Sequence, residues 1–184
     1  VRIVGGSLRG RRLATPATNA IRPTSDRTRE SLFNILSHRV DLAGLRAIDL
    51  FAGTGALGLE AISRGASHVL FVETGFEGRG LIRSNIETLN LGGTTRIFKR
   101  DATSLGEIGN MEPFDLALLD PPYGKGLGKA AIGSLIAGHW LKPQALIVLE
   151  ERVDCLPREM AGCTITDIRE YGDTAVAFIT YDGY

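Results

Sequence analysis

The 184-residue chain predicts an α/β fold built on a mostly parallel, helix-covered sheet. Three observations carry this expectation. Five apolar runs, at about 46–50, 68–73, 95–100, 114–120 and 144–150, alternate with helix-compatible segments. The first runs directly into a glycine-rich turn, Gly53-Thr54-Gly55, and then into a helix-forming stretch ending near Gly65. The carboxyl-terminal region differs: Thr164–Glu170 and Thr174–Tyr181 alternate in polarity across Tyr171-Gly172-Asp173 and read as a β-hairpin. A chain of this length can bury the core of one such domain.

At the amino end, Arg2-Ile3-Val4 and Arg11-Arg12-Leu13-Ala14 can pair as a small hairpin around Gly5-Gly6, followed by a loop from Thr15 to Pro23. Residues 1–24 are therefore expected as a basic hairpin arm and residues 25–184 as the main domain. Thr24 or Ser25 can cap a helix reaching about His38, with Leu32, Phe33, Leu36 and Val40 along one side. The segment Thr74-Gly75-Phe76-Glu77-Gly78-Arg79-Gly80 disrupts the pattern. Each glycine inside a helix costs about 1 kcal/mol relative to alanine. The helix after the second strand is expected to start late, after Gly80, or with a loose first turn.

The most informative residues are Asp120-Pro121-Pro122-Tyr123, at the end of the apolar run Phe114–Leu119. At ordinary residue frequencies this tetrapeptide arises by chance in roughly one such chain per thousand. A lone Pro-Pro would read as a turn. Here a carboxylate and a proline carbonyl can accept the protons of an exocyclic amine, and the Tyr ring can stack on a heterocycle. Upstream, the turn after Ala47-Ile48-Asp49-Leu50 brings backbone close to a ligand without a Cβ, and the following helix offers free amides. Gly53-x-Gly55-x-x-Gly58 also matches the dinucleotide fingerprint, so the motif alone fits NAD or S-adenosylmethionine. Asp49 favours S-adenosylmethionine, whose amine and sulfonium are cationic. A carboxylate beside a pyrophosphate would be repulsive.

Two more acids fall in register. Glu73 ends Val69–Val72 and can accept both ribose hydroxyl protons, as in dinucleotide folds. Asp101 follows Arg96–Arg100 and can accept from the adenine amine. Singly, each is more often a solvated strand end. Together with Asp49 and Asp120 they occupy successive strand carboxyl ends, where open α/β sheets bind ligands.

The net charge of zero hides an asymmetry. Residues 1–39 carry eight arginines against Asp26 and Glu30, a net +6, leaving −6 elsewhere. Arg2, Arg9, Arg11, Arg12, Arg22, Arg27 and Arg29 are candidate nucleic-acid contacts, because arginine forks suit phosphate oxygens. A solvated basic tail is the plain alternative. No apolar stretch approaches the length of a membrane span, and the amino end lacks an apolar signal core, so a cytoplasmic protein is expected. Cys155 and Cys163 read as reduced thiols, and His38, His68 and His139 are scattered, so no metal site is expected.

Asp49-Leu-Phe-Ala-Gly-Thr-Gly55 with Asp120-Pro-Pro-Tyr123 resembles class I S-adenosylmethionine-dependent methyltransferases that act on exocyclic amines. Arg2-Ile-Val-Gly-Gly-Ser-Leu-Arg-Gly-Arg-Arg-Leu13 and Arg22-Pro-Thr-Ser-Asp-Arg-Thr-Arg-Glu-Ser-Leu-Phe-Asn-Ile-Leu36 narrow the resemblance to the RsmD family. These are bacterial 16S ribosomal RNA guanine-N2 methyltransferases, and the resemblance covers essentially the whole chain. It implies a Rossmann-like, seven-stranded sheet with the last strand antiparallel and helices on both faces. It also implies guanine N2 as acceptor and the small ribosomal subunit, or its assembly intermediate, as substrate for a monomeric enzyme. By motif position, Asp49, Gly53 and Gly55 would face the methionine part of the donor, Glu73 the ribose and Asp101 the adenine. Phe51, Thr54, Thr74 and Ala102 flank them in the donor site. Asp120, Pro121, Pro122 and Tyr123 would hold the flipped guanine.

Other readings stay open on the residues. The tetrapeptide also serves DNA adenine-N6 methylation, although the chain has little room for a sequence-reading domain. A catalytically silent RNA-binding or ribosome-assembly module is a third reading. An NAD dehydrogenase is remote, for nothing supplies a hydride-transfer acid/base pair with a substrate anion clamp.

Overall fold

The computed structural model describes residues 1–18, 21 and 24–183. Helix α1 (Asp26–Arg39) starts where Ser25 accepts a hydrogen bond from the Thr28 amide. It turns Leu32, Phe33 and Leu36 into the core. Then follow β1 (Arg46–Leu50), α2 (Ala56–Ser63), β2 (His68–Val72), α3 (Phe76–Thr88), β3 (Thr95–Phe98), β4 (Phe114–Leu119) and α4 (Leu127–Ala137). The chain closes with β5 (Leu141–Arg152), β6 (Cys163–Tyr171) and β7 (Thr174–Tyr181).

The seven strands form one sheet in the order β3-β2-β1-β4-β5-β7-β6. β1 to β5 run parallel, and β7 lies antiparallel between β5 and β6. This is the expected class I methyltransferase sheet. Alternate residues of each strand enter separate cores. Ala47, Val69, Phe71, Leu116 and Leu118 pack with residues of α1, α2 and α3. Ile48, Leu50, Leu70, Val72, Ala117 and Leu119 pack with residues of α4. A parallel sheet covered on both faces accounts for the near-continuous apolar runs. Among the described residues, no helix is long and apolar enough to cross a membrane.

Three elements differ from the sequence expectation. Helix α3 begins at Phe76, not after Gly80. Gly78 faces Glu73 and the Gly53 carbonyl so closely that a Cβ would lie 2.9 Å from each. The glycine is therefore required by this approach, and burial of Ile82 and Asn85 offsets the lost helix propensity. The 99–113 connection is not helical, because Gly106 and Gly109 take left-handed φ of 75° and 71°. It caps its face with Ala102 and Leu105 instead. The segment between β5 and β6 likewise holds only a single 3-10 turn, Val153–Cys155.

The amino-terminal hairpin forms around an antiparallel bridge between Arg2 and Arg12. It is docked over α2. Ile3 and Leu13 join the core cluster. The Val4 and Gly5 amides each donate to the Glu60 carboxylate at 3.0 Å. The Ser7 amide donates to the Ser63 carbonyl at 2.8 Å. Helix α2 is buried along most of its length, Glu60 included, and the hairpin supplies the polar partners that this burial demands.

Candidate functional site

Strand register assembles the site. Leu50 of β1 pairs with Val72 of β2 and Leu119 of β4, so Glu73 and Asp120 emerge together on either side of Phe51. Connections leave β1 toward β2 on one side, and the chain returns to β4 on the other. The carboxyl ends of β1 and β4 therefore flank a topological switch point, the place where such sheets bind ligands. A cavity of about 610 Å³ lies there.

Its wall includes Asp49, Phe51, Gly53 and Thr54 from the first turn, and Glu73 and Thr74 after β2. Asp101 and Ala102 contribute from beyond β3, and Asp120, Pro121 and Pro122 from beyond β4. Gly55 stands behind this wall as the N-cap of α2, in the left-handed region at φ 81°. Gly53 (φ 59°) and Phe51 (φ 57°) also take left-handed backbone. For Phe51 that is strained, and such strain concentrates at ligand sites. Tyr123 lies outside the wall, its hydroxyl donating to Glu150 Oε1 at 2.7 Å.

The acids differ in environment. Asp49 is fully buried and accepts from the Gly58 amide at 3.0 Å. Burial, reinforced by the charges of Asp120 and Glu73, pushes its carboxyl well above the usual range, against the pull of that amide. Glu73 is clamped by backbone, accepting from the Gly53 and Gly75 amides, each at 2.7 Å. Asp101 is exposed, and the Thr103 hydroxyl and amide hold its carboxyl below the usual range. Asp120 accepts from the Thr24 hydroxyl at 3.0 Å.

Of the candidate phosphate-binding arginines, Arg2, Arg9, Arg11, Arg12 and Arg27 are exposed, whereas Arg22 lies outside the described residues. Arg11 also donates to the Thr88 carbonyl at 3.2 Å, laying the hairpin against the end of α3. Arg29 requires a correction. Its side chain is 0% exposed and paired with Glu60 (3.3 Å) and Asp26 (2.7 Å), so it cannot meet a phosphate. Charge count alone cannot separate a buried arginine from a solvated one.

Sequence reasoning missed several site residues. Thr24, Ile21, Arg100, Thr103 and Leu127 also line the cavity. From the sequence, Thr24 reads only as a candidate helix cap. Glu150 was findable, because it is the acid ending the fifth apolar run, where the strand-end rule applies again. Asn85 carried no legible signal. Its side chain accepts from the Ala14 amide and donates to the Thr54 carbonyl, joining the amino-terminal segment to the first turn.

Comparison with known proteins agrees with this architecture. Residues 1–180 match the family described as Conserved hypothetical protein 95. The chain is 36% identical to YlbH of Bacillus subtilis over 180 residues, covering 96% of this chain and 97% of that protein. It is 36% identical to the ribosomal RNA small subunit methyltransferase D of Escherichia coli strain K12 over 154 residues, covering 84% and 76%. The solved structure of Escherichia coli yhhF superposes with a TM-score of 0.86 at 32% identity, covering 100% of this chain and 99% of that one. At 17% identity and a TM-score of 0.69, the ribosomal protein L11 methylase of Lactobacillus delbrueckii shares the fold, over 86% of this chain and 80% of its own. With the matched model spanning nearly every residue, this chain belongs to the RsmD family of methyltransferases.

Proposed function

We propose that the protein transfers a methyl group from S-adenosylmethionine to the exocyclic N2 amine of a guanine in 16S ribosomal RNA, on the small ribosomal subunit or its assembly intermediate. One observation carries this reading: the strand-end acids Asp49, Glu73, Asp101 and Asp120 line a single cavity together with Pro121. The name of the Escherichia coli relative supports ribosomal RNA as the substrate class.

The residues fit the donor. Asp49 lies buried near two further carboxylates, Asp120 and Glu73, whose repulsion adds to burial in raising its carboxyl. A cationic amine and sulfonium relieve that repulsion, whereas a pyrophosphate would add to it. Glu73, oriented by two amides, retains lone pairs for the ribose hydroxyls, and Asp101, fixed by Thr103, can accept from the adenine amine. S-adenosylmethionine, when bound, supplies an already activated methyl group.

The protein's own task is then positioning. The target base leaves its stack to reach the cavity. Asp120 and the Pro121 carbonyl accept the two amine protons, drawing the nitrogen toward sp³ geometry and freeing its lone pair for in-line attack. Asp120 stands ready for the proton released after transfer. Neither Cys155 nor Cys163 lines the cavity, and the reaction calls for no covalent enzyme intermediate.

Tritiated methyl transfer to small subunits from a strain lacking the enzyme, beside naked RNA and DNA, tests this. Label recovered as N2-methylguanosine from subunits is expected. Label in DNA adenine, or no transfer at all, would overturn the reading.

A further inference from the structure

A line of buried and part-buried polar contacts runs from the amino-terminal hairpin to the acceptor carboxylate. Thr24 is 6% exposed and lines the cavity. Its hydroxyl donates to Asp120 Oδ2 across 96 positions of chain. The backbone that carries this hydroxyl is held from behind. Ser25 begins α1 as its cap, which sets the backbone beside Thr24. Arg29 Nη1, one turn into the helix, donates to the Thr24 carbonyl at 3.0 Å. Arg29 is held in turn by Glu60, Asp26 and the Arg2 carbonyl. Glu60 completes the route by accepting the Val4 and Gly5 amides.

We propose that Thr24 is a positioning residue for Asp120, and that Arg29 sets it from the same buried network that anchors the hairpin. The inference rests on Asp120 being the ligand of the acceptor amine. A carboxylate turns about a broad, roughly two-fold torsion and has no fixed orientation of its own. A hydrogen bond from the hydroxyl of a buried residue, whose own backbone carbonyl is held by Arg29, favours one orientation before substrate arrives. Preorganisation of this kind acts on the chemical step, since a small misplacement of a reacting group costs more in turnover than in binding. Because Thr24 is neutral, it aligns the carboxylate without adding a charge to the cavity.

The experiment compares Thr24→Val, which keeps the shape and loses the hydroxyl, with Thr24→Ser, which keeps the hydroxyl. Thr24→Ala runs in parallel should Val disturb packing, and Asp120→Ala serves as reference. Each is assayed for methyl transfer to small subunits, for calorimetric S-adenosylmethionine binding and for thermal unfolding. Val and Ala should lower kcat about tenfold, the loss of one aligned hydrogen bond. Donor affinity should stay within about twofold, and Ser should recover most of kcat, a split that a purely structural role does not produce. Wild-type kcat in Val and Ala, or a Ser variant as slow as both, overturns the inference if Asp120→Ala is inactive. An active Asp120→Ala removes the underlying reading of the site instead.

Discussion

Replacing Arg29 with Ala should destabilise the fold without touching a phosphate contact. The guanidinium is fully buried and donates to Glu60, Asp26 and the carbonyls of Thr24 and Arg2. Its removal takes one of two ion-pair partners from Glu60, which is also 0% exposed. Breaking a buried pair from one side costs about 3–5 kcal/mol. Glu60 keeps Arg64 at 2.9 Å and the Val4 and Gly5 amides, which places the cost near the lower bound. A loss of about 3 kcal/mol in a chain of this size lowers Tm by roughly 6–12 °C. Urea titration and thermal melts measure it, and the midpoint should fall while the m-value holds. A loss below about 1 kcal/mol, the range of exposed pairs, would refute the assignment. Were that small loss joined by a shallower salt dependence of RNA binding, Arg29 would return to the phosphate contacts.

Three further outcomes are expected. Asp49→Asn keeps an acceptor for the Gly58 amide and removes a carboxyl whose pKa folding raises. The native state then holds that proton more tightly than the unfolded chain, so wild-type stability falls as pH rises above the ordinary carboxylate value. Denaturant titrations at pH 5 and 8 should show the Asn variant flatter with pH and relatively more stable at the higher value, while calorimetry shows weaker donor binding. Glu73→Ala should raise the S-adenosylmethionine dissociation constant more than it slows the saturated reaction, because a ribose contact is uniform between ground and transition states. An unchanged constant would place the ribose elsewhere. Replacing Arg9, Arg11 and Arg12 together should leave melting nearly unaltered, since all three side chains are exposed although their hairpin is anchored. The slope of log affinity for small subunits against log salt should flatten by about 2–3 units. Parallel slopes would make the segment a solvated basic tail.

Most of the sheet was legible before any coordinates, because a parallel strand buried on both faces must be written as an unbroken apolar run. Arg46–Leu50 occurs where that pattern put it, and the antiparallel Thr174–Tyr181 where alternation put the second strand of a hairpin. The strand-end acids were legible for a related reason: once strand ends are known, the register of a parallel sheet carries Asp49, Glu73, Asp101 and Asp120 to one edge. The start of α3 was not legible, since Gly78 reads locally as a helix breaker and is required only because Glu73 and Gly53 approach it from elsewhere in the chain. Nor was the fate of the arginines. Arg27 and Arg29 are near neighbours in one basic segment, yet one is exposed and the other entirely buried. The sequence by itself determined the elements, their alternation and the chemistry at the strand ends, all of which follow from local pattern and strand period. Tertiary structure alone decided which charges are buried and joined Thr24 to Asp120, because such partners meet only after the chain has folded back across many intervening residues.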